Sequence, residues 1–129
     1  MIRCVLIILA LLLGLSAARA EAQPIQRSFP AKALRGELVV VQSPDITMNG
    51  QPARLAPGAR IRGINNLLQM SAALTGQPLV VHYTVDPYGL VHEVWILSDD
   101  ERTRTPWPTT PADAARWLFD PVGQTWIRR

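Results

Sequence analysis

Cysteine is almost absent, since the chain has one cysteine, Cys4, close to its N-terminus. Cys4 precedes the apolar run of the N-terminal region instead of following it, which excludes a lipid-modified cysteine at a cleavage point. Beyond residue 20 there is no thiol, so disulfides, thiolate metal ligands and a cysteine nucleophile are excluded there. Residues 21–129 must therefore be stabilised by a hydrophobic core.

Long apolar runs are also scarce, and the longest, from Val5 to Leu15, has 11 residues. Roughly 18 or more are needed to span a bilayer as a helix. Arg3 precedes this run and Ala18-Arg19-Ala20 follows it, which is the order of a secretory signal with cleavage positions Ala18 and Ala20. We expect residues 1–20 to be a cleavable signal peptide, with no membrane span after cleavage. The protein is then periplasmic or secreted, and an uncleaved anchor is the alternative.

Net charge is small once the predicted signal is set aside. Without Arg3 and Arg19, 11 of the 13 basic residues remain against 10 acidic ones. Basic residues dominate positions 27–62 and acidic residues dominate positions 86–120. This distribution fits a dipolar surface, a complementary self-contact, or two ordinary solvated faces. A near-neutral exported chain argues against nucleic acid as a partner.

Short β-branched runs separated by turn signals predict a β protein. Gly36 to Val41 is typical of a first strand. Asn49-Gly50 is the strongest two-residue hairpin signal, because both residue types tolerate positive φ angles. Pro57-Gly58 predicts a second turn and Asn65-Asn66 a third.

The best-defined hairpin joins residues 79–85 to residues 90–97 through Asp86-Pro87-Tyr88-Gly89, which suits a type I turn. Both of its faces are largely apolar, so we expect it to be central and covered on both sides. The register expected for a three-residue loop places Val85 opposite Val91, Tyr83 opposite Glu93, and Val81 opposite Trp95.

The pattern changes after Leu97. Residues 98–101, Ser-Asp-Asp-Glu, predict a capping box and a helix start, and Thr110-Pro111 predicts a second helix that runs to about Leu118. Trp126 and Ile127 are expected to fold back onto the body. The whole pattern predicts a mainly β fold, a small antiparallel barrel or strongly curved sheet (OB-like or SH3-like) with one or two short C-terminal helices. A two-layer α+β sandwich is the alternative.

The predicted organisation has four parts. Residues 1–20 are the signal, and the polar residues 21–34 form a flexible lead-in that is loose or lies along the domain. Residues 35–97 form the antiparallel β domain. Residues 98–129 form a helical and extended segment that packs on it.

Four segments resemble a group of small exported bacterial proteins for which no activity is established. They are Arg54 to Gly63, Asn65-Asn66, Gly89 to Leu97, and Trp107 to Pro111. The resemblance implies that the protein is exported and that the turn-rich stretch around residues 54–66 belongs to the fold. It assigns no functional residue.

His82 and His92 are the two histidines of the chain. In the predicted register they are diagonal neighbours on one sheet face, within reach of a shared metal ion. Two ligands are too few for a site, and the apolar neighbours on that face supply none. The alternative is two neutral histidines in a polar strip between apolar neighbours, or one histidine covered by the C-terminal segment. The acidic run 99–101 suits a hard cation, although helix capping already explains it.

Partner binding has four candidate residues. Three arginines lie on strands predicted to pair across the Pro57-Gly58 turn, where they suit phosphate or carboxylate recognition: Arg54, Arg60 and Arg62. In an OB-like barrel they would approach a nucleic acid strand, with stacking from Tyr83 or Tyr88. Solvated edge arginines are the alternative.

The fourth candidate is Trp107, which lies between two prolines. In that context a tryptophan either docks on its own domain or contacts a protein or glycan partner, the second only if the ring is exposed. Trp95 is expected to lie in the core.

The sequence contains no recognisable catalytic motif. No serine lies in a nucleophile-elbow pattern, and no motif identifies a pair of catalytic carboxylates. Folding could still bring His92 and Glu93 to a serine. We expect a non-enzymatic exported binding or structural module of the periplasm or envelope, without a cofactor, that contacts an envelope protein, peptide or polymer. A metal- or small-ligand-binding accessory protein that uses His82 and His92 is the alternative. An unrecognised enzyme is the third.

Overall fold

The structure is a computed structural model that describes residues 26–129. The predicted signal peptide, with Ala18 and Ala20, lies outside the described residues, as does the first part of the lead-in. The strands are β1 (Leu34–Gln42), β2 (Asp45–Met48), β3 (Gln51–Arg62), β4 (Leu68–Gln69), β5 (Leu79–Val85), β6 (Val91–Ile96), β7 (Leu118–Asp120) and β8 (Thr125–Ile127). A 3-10 helix (Ser71–Leu74) follows β4, and two α-helices, α1 (Asp99–Arg102) and α2 (Pro111–Arg116), follow β6.

Five strands close into a barrel. The sheet order is β2-β1-β5-β6-β3-β4, and β2 also pairs with β3, which joins the two sides. Every barrel pair is antiparallel except β3 with β6, which is parallel. The predicted mainly β fold, with a small barrel and two short helices, is confirmed, and the connectivity is the Greek-key type of an OB-like barrel.

Three of the predicted turns form, and in the one at Asn65-Asn66 the φ of Asn66 is 65°. Asn49 and Gly50, with φ angles of 54° and 78°, join β2 to β3. In the β5–β6 turn, Oδ1 of Asp86 accepts hydrogen bonds from the backbone N–H groups of Tyr88 and Leu90, each at 2.9 Å. Gly89 completes that turn with a φ of 81°.

The turn predicted at Pro57-Gly58 is wrong, since β3 runs through both residues. β3 pairs with β6 on either side of this point, and its register shifts between Leu55 and Arg60. Gly58 has a φ of 75°, which bends the strand at this point. Pro57 has no backbone N–H, so its position at the bend costs the β-ladder no hydrogen bond. The dipeptide therefore curves a barrel strand instead of ending it.

The β5–β6 hairpin is in the predicted place, but most of its predicted register is wrong. Val85 lies opposite Val91, as expected. A bulge between Tyr83 and Val85 then shifts the pairing by one residue, so Tyr83 lies opposite Val94, Val81 opposite Ile96 and His82 opposite Trp95. A shift of one residue moves a side chain to the other face of the sheet.

The hairpin separates two apolar clusters. The barrel interior includes Leu38, Val40, Ile46, Leu55, Ile61, Val81 and Val94. On the outside of the barrel lies a second cluster, which we call the outer core: Phe29, Ala33, Trp95, Leu97, Trp107 and Trp126. The hairpin is therefore covered on both sides, as its two apolar faces predicted.

The segments around the barrel agree with the expectations in part. The described lead-in, residues 26–33, lies along the domain with Arg27 and Phe29 buried. Helix α2 ends at Arg116 rather than near Leu118, because Leu118 begins the β7–β8 hairpin. Trp126 folds back into the outer core, whereas Ile127 is exposed. Within residues 26–129, no helix is long and apolar enough to cross a membrane.

Candidate functional site

A groove of about 690 Å³ lies between the β5–β6 turn and the bend of β3. We call it the hairpin groove, and it is lined by Lys32, Ala56, Pro57, residues 84–88, Leu90 and His92. Past Lys32 and Val85 it meets a second hollow of about 280 Å³ that reaches α2 at Pro111 and Ala114. Ligand pockets commonly measure roughly 300–1,000 Å³ and are mostly apolar with a few polar groups. This groove has that size and chemistry.

Tyr88 is the most conspicuous side chain of the groove, because 88% of its surface is exposed. The turn that carries it is fixed by the two hydrogen bonds to Asp86 and by a third from Gly89 N–H to the Asp86 carbonyl at 3.0 Å. A large aromatic ring therefore projects into solvent from a constrained backbone. Such a ring contacts a ligand with little loss of conformational entropy.

The groove lining contains one lysine, one carboxylate and one histidine. Lys32 and His92 are exposed, and Lys32 forms no ion pair among residues 26–129. The one carboxylate of the lining belongs to Asp86, and its Oδ1 already accepts two backbone N–H groups. The groove thus offers a free ammonium group beside an apolar floor and an aromatic ring.

The structure does not place His82 in this groove. His82 is fully buried in the outer core, where its ring stacks on Trp107 with centroids 4.0 Å apart and meets the edge of Phe29 at 4.4 Å. Burial, and then the positive charges of Arg35 and Arg27, lower the pKa of His82 to about 2. His82 is therefore a neutral core residue at physiological pH.

The predicted pairing of His82 with His92 at a metal ion finds no support in the arrangement. His92 lies exposed at the groove, whereas Nε2 of His82 already accepts a hydrogen bond from Arg35. Residues 26–129 contain no group of three or more His, Cys, Asp or Glu side chains placed to hold a metal ion. The bulge that shifts the hairpin register removes the diagonal relationship on which the prediction rested.

The three arginines lie on a single strand, β3, and do not face one another across a turn. Arg54 and Arg60 are exposed, and Arg62 is partly buried with its guanidinium 3.8 Å from the Glu93 carboxylate. None of them lines the hairpin groove. The predicted pairing across a turn is wrong, because Pro57-Gly58 bends β3 instead of folding it into a hairpin.

Trp107 has 5% of its surface exposed, and its Nε1 donates to the Ala33 carbonyl at 2.9 Å. The partner contact considered for Trp107 required an exposed ring, so the packing alternative holds. Trp95 is buried as expected, although in the outer core and not inside the barrel.

The acidic run is used within the fold. Glu101 and Ser98 form the predicted capping box. Glu101 is also buried against Arg27, whose NH2 lies 2.6 Å from Oε1. Burial alone raises the pKa of Glu101, but hydrogen bonds from Arg27 and Ser98 outweigh it and hold the pKa below its usual value. Asp99 pairs with Arg102, and Asp100 lies 4.0 Å from Arg104.

Sequence reasoning missed Lys32 as a site residue, because it lies in a segment without periodicity. Tyr88 was considered only as a stacking residue for nucleic acid. Its place in a four-residue turn was the available signal, since side chains at the tips of tight turns are usually exposed. Glu93, considered for catalysis with His92, is instead paired with Arg62, and no serine lines the groove.

Comparison of the chain with protein-family models, with curated proteins and with solved structures gave no match.

Proposed function

We propose that the protein is an exported, non-catalytic binding module that holds a carboxylate-bearing glycan of the cell envelope in the hairpin groove. The observation that carries this proposal is the exposed Tyr88 ring on its fixed turn beside a free lysine. The loop between the last two barrel strands is also one of the ligand-binding loops of OB-type barrels, which bind oligosaccharides and oligonucleotides.

The groove chemistry favours a glycan of this class. The apolar face of a sugar ring packs on an aromatic ring such as Tyr88, and the Lys32 ammonium group attracts a carboxylate. The exposed imidazole of His92 offers a hydrogen-bonding group for sugar hydroxyls. The groove continues toward α2, so it accommodates more than one sugar unit. Export and a near-neutral charge favour a glycan over nucleic acid.

The test is co-sedimentation of the purified, exported protein with isolated peptidoglycan sacculi, an insoluble envelope glycan that carries carboxylates. We expect the wild-type protein to sediment with the sacculi. Tyr88→Ala should weaken binding by about tenfold, the factor that corresponds to about 1.4 kcal/mol. Lys32→Ala should weaken it and make it less sensitive to salt, whereas Lys32→Arg should retain it.

Val122→Ala is the matched control, because Val122 is 95% exposed on the turn of the other hairpin, β7–β8. It should bind like the wild type, and thermal unfolding should show that all variants remain folded. The proposal is wrong if the wild-type protein stays in the supernatant, or if Tyr88→Ala and Lys32→Ala sediment as fully as Val122→Ala.

A further inference from the structure

The outer edge of β4 is unusually apolar. Four exposed side chains lie within seven residues, each with 58–78% of its surface accessible, and we call this set the β4 edge: Ile64, Leu67, Leu68 and Met70. Together they expose on the order of 500 Å², which reaches the size of the largest, often functional, apolar patch on a typical monomer. Scattered single apolar residues need no explanation, but four exposed ones within seven residues do.

The backbone of the β4 edge is also open. Gly63 N–H donates to the Leu67 carbonyl at 2.9 Å, and Leu68 lies opposite Arg62 in the β3–β4 ladder. Because hydrogen-bonded and non-hydrogen-bonded pairs alternate along an antiparallel ladder, the N–H and C=O of Leu68 point away from β3. Among residues 26–129 no strand pairs with that side of β4, whereas the other five strands of this sheet close on each other.

The β4 edge carries no charged residue that would prevent it from pairing with another chain. Natural sheets commonly place lysine or another charged residue on an open edge to prevent pairing with a second chain. Residues 63–85 contain no aspartate, glutamate, lysine or arginine. The charge nearest along the ladder, Arg62, is paired with Glu93 at 3.8 Å. The β4 edge therefore lacks protection by charge, and only the shortness of β4 (two residues) limits pairing there.

We infer that the β4 edge is the contact between two copies of this chain, which pair antiparallel about a two-fold axis at Leu68. In a two-fold symmetric dimer, a charged residue near the axis lies close to the same residue of the other copy, and the two like charges repel each other. A strip without charges avoids this repulsion. When Leu68 lies opposite Leu68 of the second copy, each N–H donates to the C=O of the other residue. This reciprocal pair of hydrogen bonds satisfies the outward-pointing N–H and C=O of both residues.

The contact between the two copies is small. The apolar strip falls short of the roughly 800 Å² per partner of a standard interface, and the neighbouring Asn65, Asn66 and Gln69 form a polar rim around it. The dimer is therefore a reversible one that forms at micromolar concentrations or above. This inference does not depend on the glycan proposal, because it involves no residue of the hairpin groove and no ligand.

Sedimentation velocity of the purified, exported protein over the micromolar to millimolar range tests it. We expect the weight-average mass to rise with concentration from the monomer toward the dimer. Leu68→Lys, which places two ammonium groups at the axis, should raise the dissociation constant at least tenfold without lowering the thermal midpoint of dilute protein. Val122→Lys makes the same charge change at an exposed site elsewhere and should leave the dimer intact.

Cross-linking tests the register. In a Cys4→Ser background, Leu68→Cys should form a disulfide dimer on mild oxidation, because hydrogen-bonded antiparallel pairs have Cα atoms about 5.5 Å apart, within the range for a disulfide. Val122→Cys should form far less. A monomer at every concentration, or a dimer that Leu68→Lys leaves unchanged, overturns the inference.

Discussion

Nε of Arg35 donates a hydrogen bond to Nε2 of His82 over 3.2 Å. A guanidinium group can only donate, so Nε2 of His82 must accept and the imidazole proton lies on Nδ1. That Nδ1 is buried and has no hydrogen-bond partner within residues 26–129. The same arginine also donates to the Glu101 carbonyl at 3.0 Å and lies over the Trp107 ring at 5.7 Å. Burial in the outer core, and then the positive charge of Arg35, keep His82 neutral.

The neutral His82 predicts a pH dependence of stability. Its pKa is about 2 in the folded state, well below the ordinary value of 6.5. Between these values the unfolded chain binds a proton that the folded chain does not, so the free energy of unfolding falls as the pH is lowered below about 6.5. From pH 7 to pH 5 the loss is about 2 kcal/mol.

Urea unfolding of the wild-type protein at pH 7 and pH 5 measures this loss. The variant His82→Leu has no group to titrate and should lose much less stability over the same interval, whatever its stability at pH 7. His92→Gln, at the exposed histidine, should behave like the wild type. Equal losses in His82→Leu and the wild type would show that His82 is not the group responsible.

The ion pair between Arg27 and Glu101 predicts a large cost for removing one partner. Both side chains are buried, and Arg27 also donates to the carbonyls of Gly63 at 2.9 Å and Ile96 at 2.7 Å. Arg27→Met leaves a buried carboxylate unpaired, which costs roughly 3–5 kcal/mol. Denaturant unfolding at pH 7 measures the cost.

The double variant Arg27→Met with Glu101→Gln removes both charges and should recover part of this loss. Arg116→Met is the matched control, because Arg116 pairs with Asp113 on the exposed surface of α2, where an ion pair contributes less than about 1 kcal/mol. If Arg27→Met costs no more than Arg116→Met, the lead-in is not fastened to the barrel as described.

The sequence allowed prediction of the elements whose signals are local. Asn49-Gly50 and Asp86 to Gly89 form the expected turns, and Ser98 with Glu101 caps α1, because each depends on backbone angles and on side chains a few residues apart. Pro57-Gly58 has an equally local turn signal but lies in a strand that pairs with β6 on both sides of the bend. Whether Pro57-Gly58 forms a turn or a bend depends on the long-range pairing of β3 with β6 that closes the barrel.

The register of the β5–β6 hairpin could not be predicted from the pattern of apolar residues either. Both faces of the hairpin are apolar, so alternation did not distinguish one register from the next, and the bulge beside Tyr83 decides it. The burial of Arg27 was also unpredictable, since its partner Glu101 is 74 residues away in the chain. The same holds for the hairpin groove, which joins Lys32 to two distant strand segments.

An NMR titration tests the central claim most directly. ¹⁵N-labelled protein would be titrated with soluble peptidoglycan fragments that carry the disaccharide and its acidic peptide stem. We predict that the largest amide shifts fall on residues 86–92 and at Lys32, while Leu68 and Val122 do not respond. Absence of shifts at saturating fragment, or largest shifts outside the hairpin groove, would contradict the account.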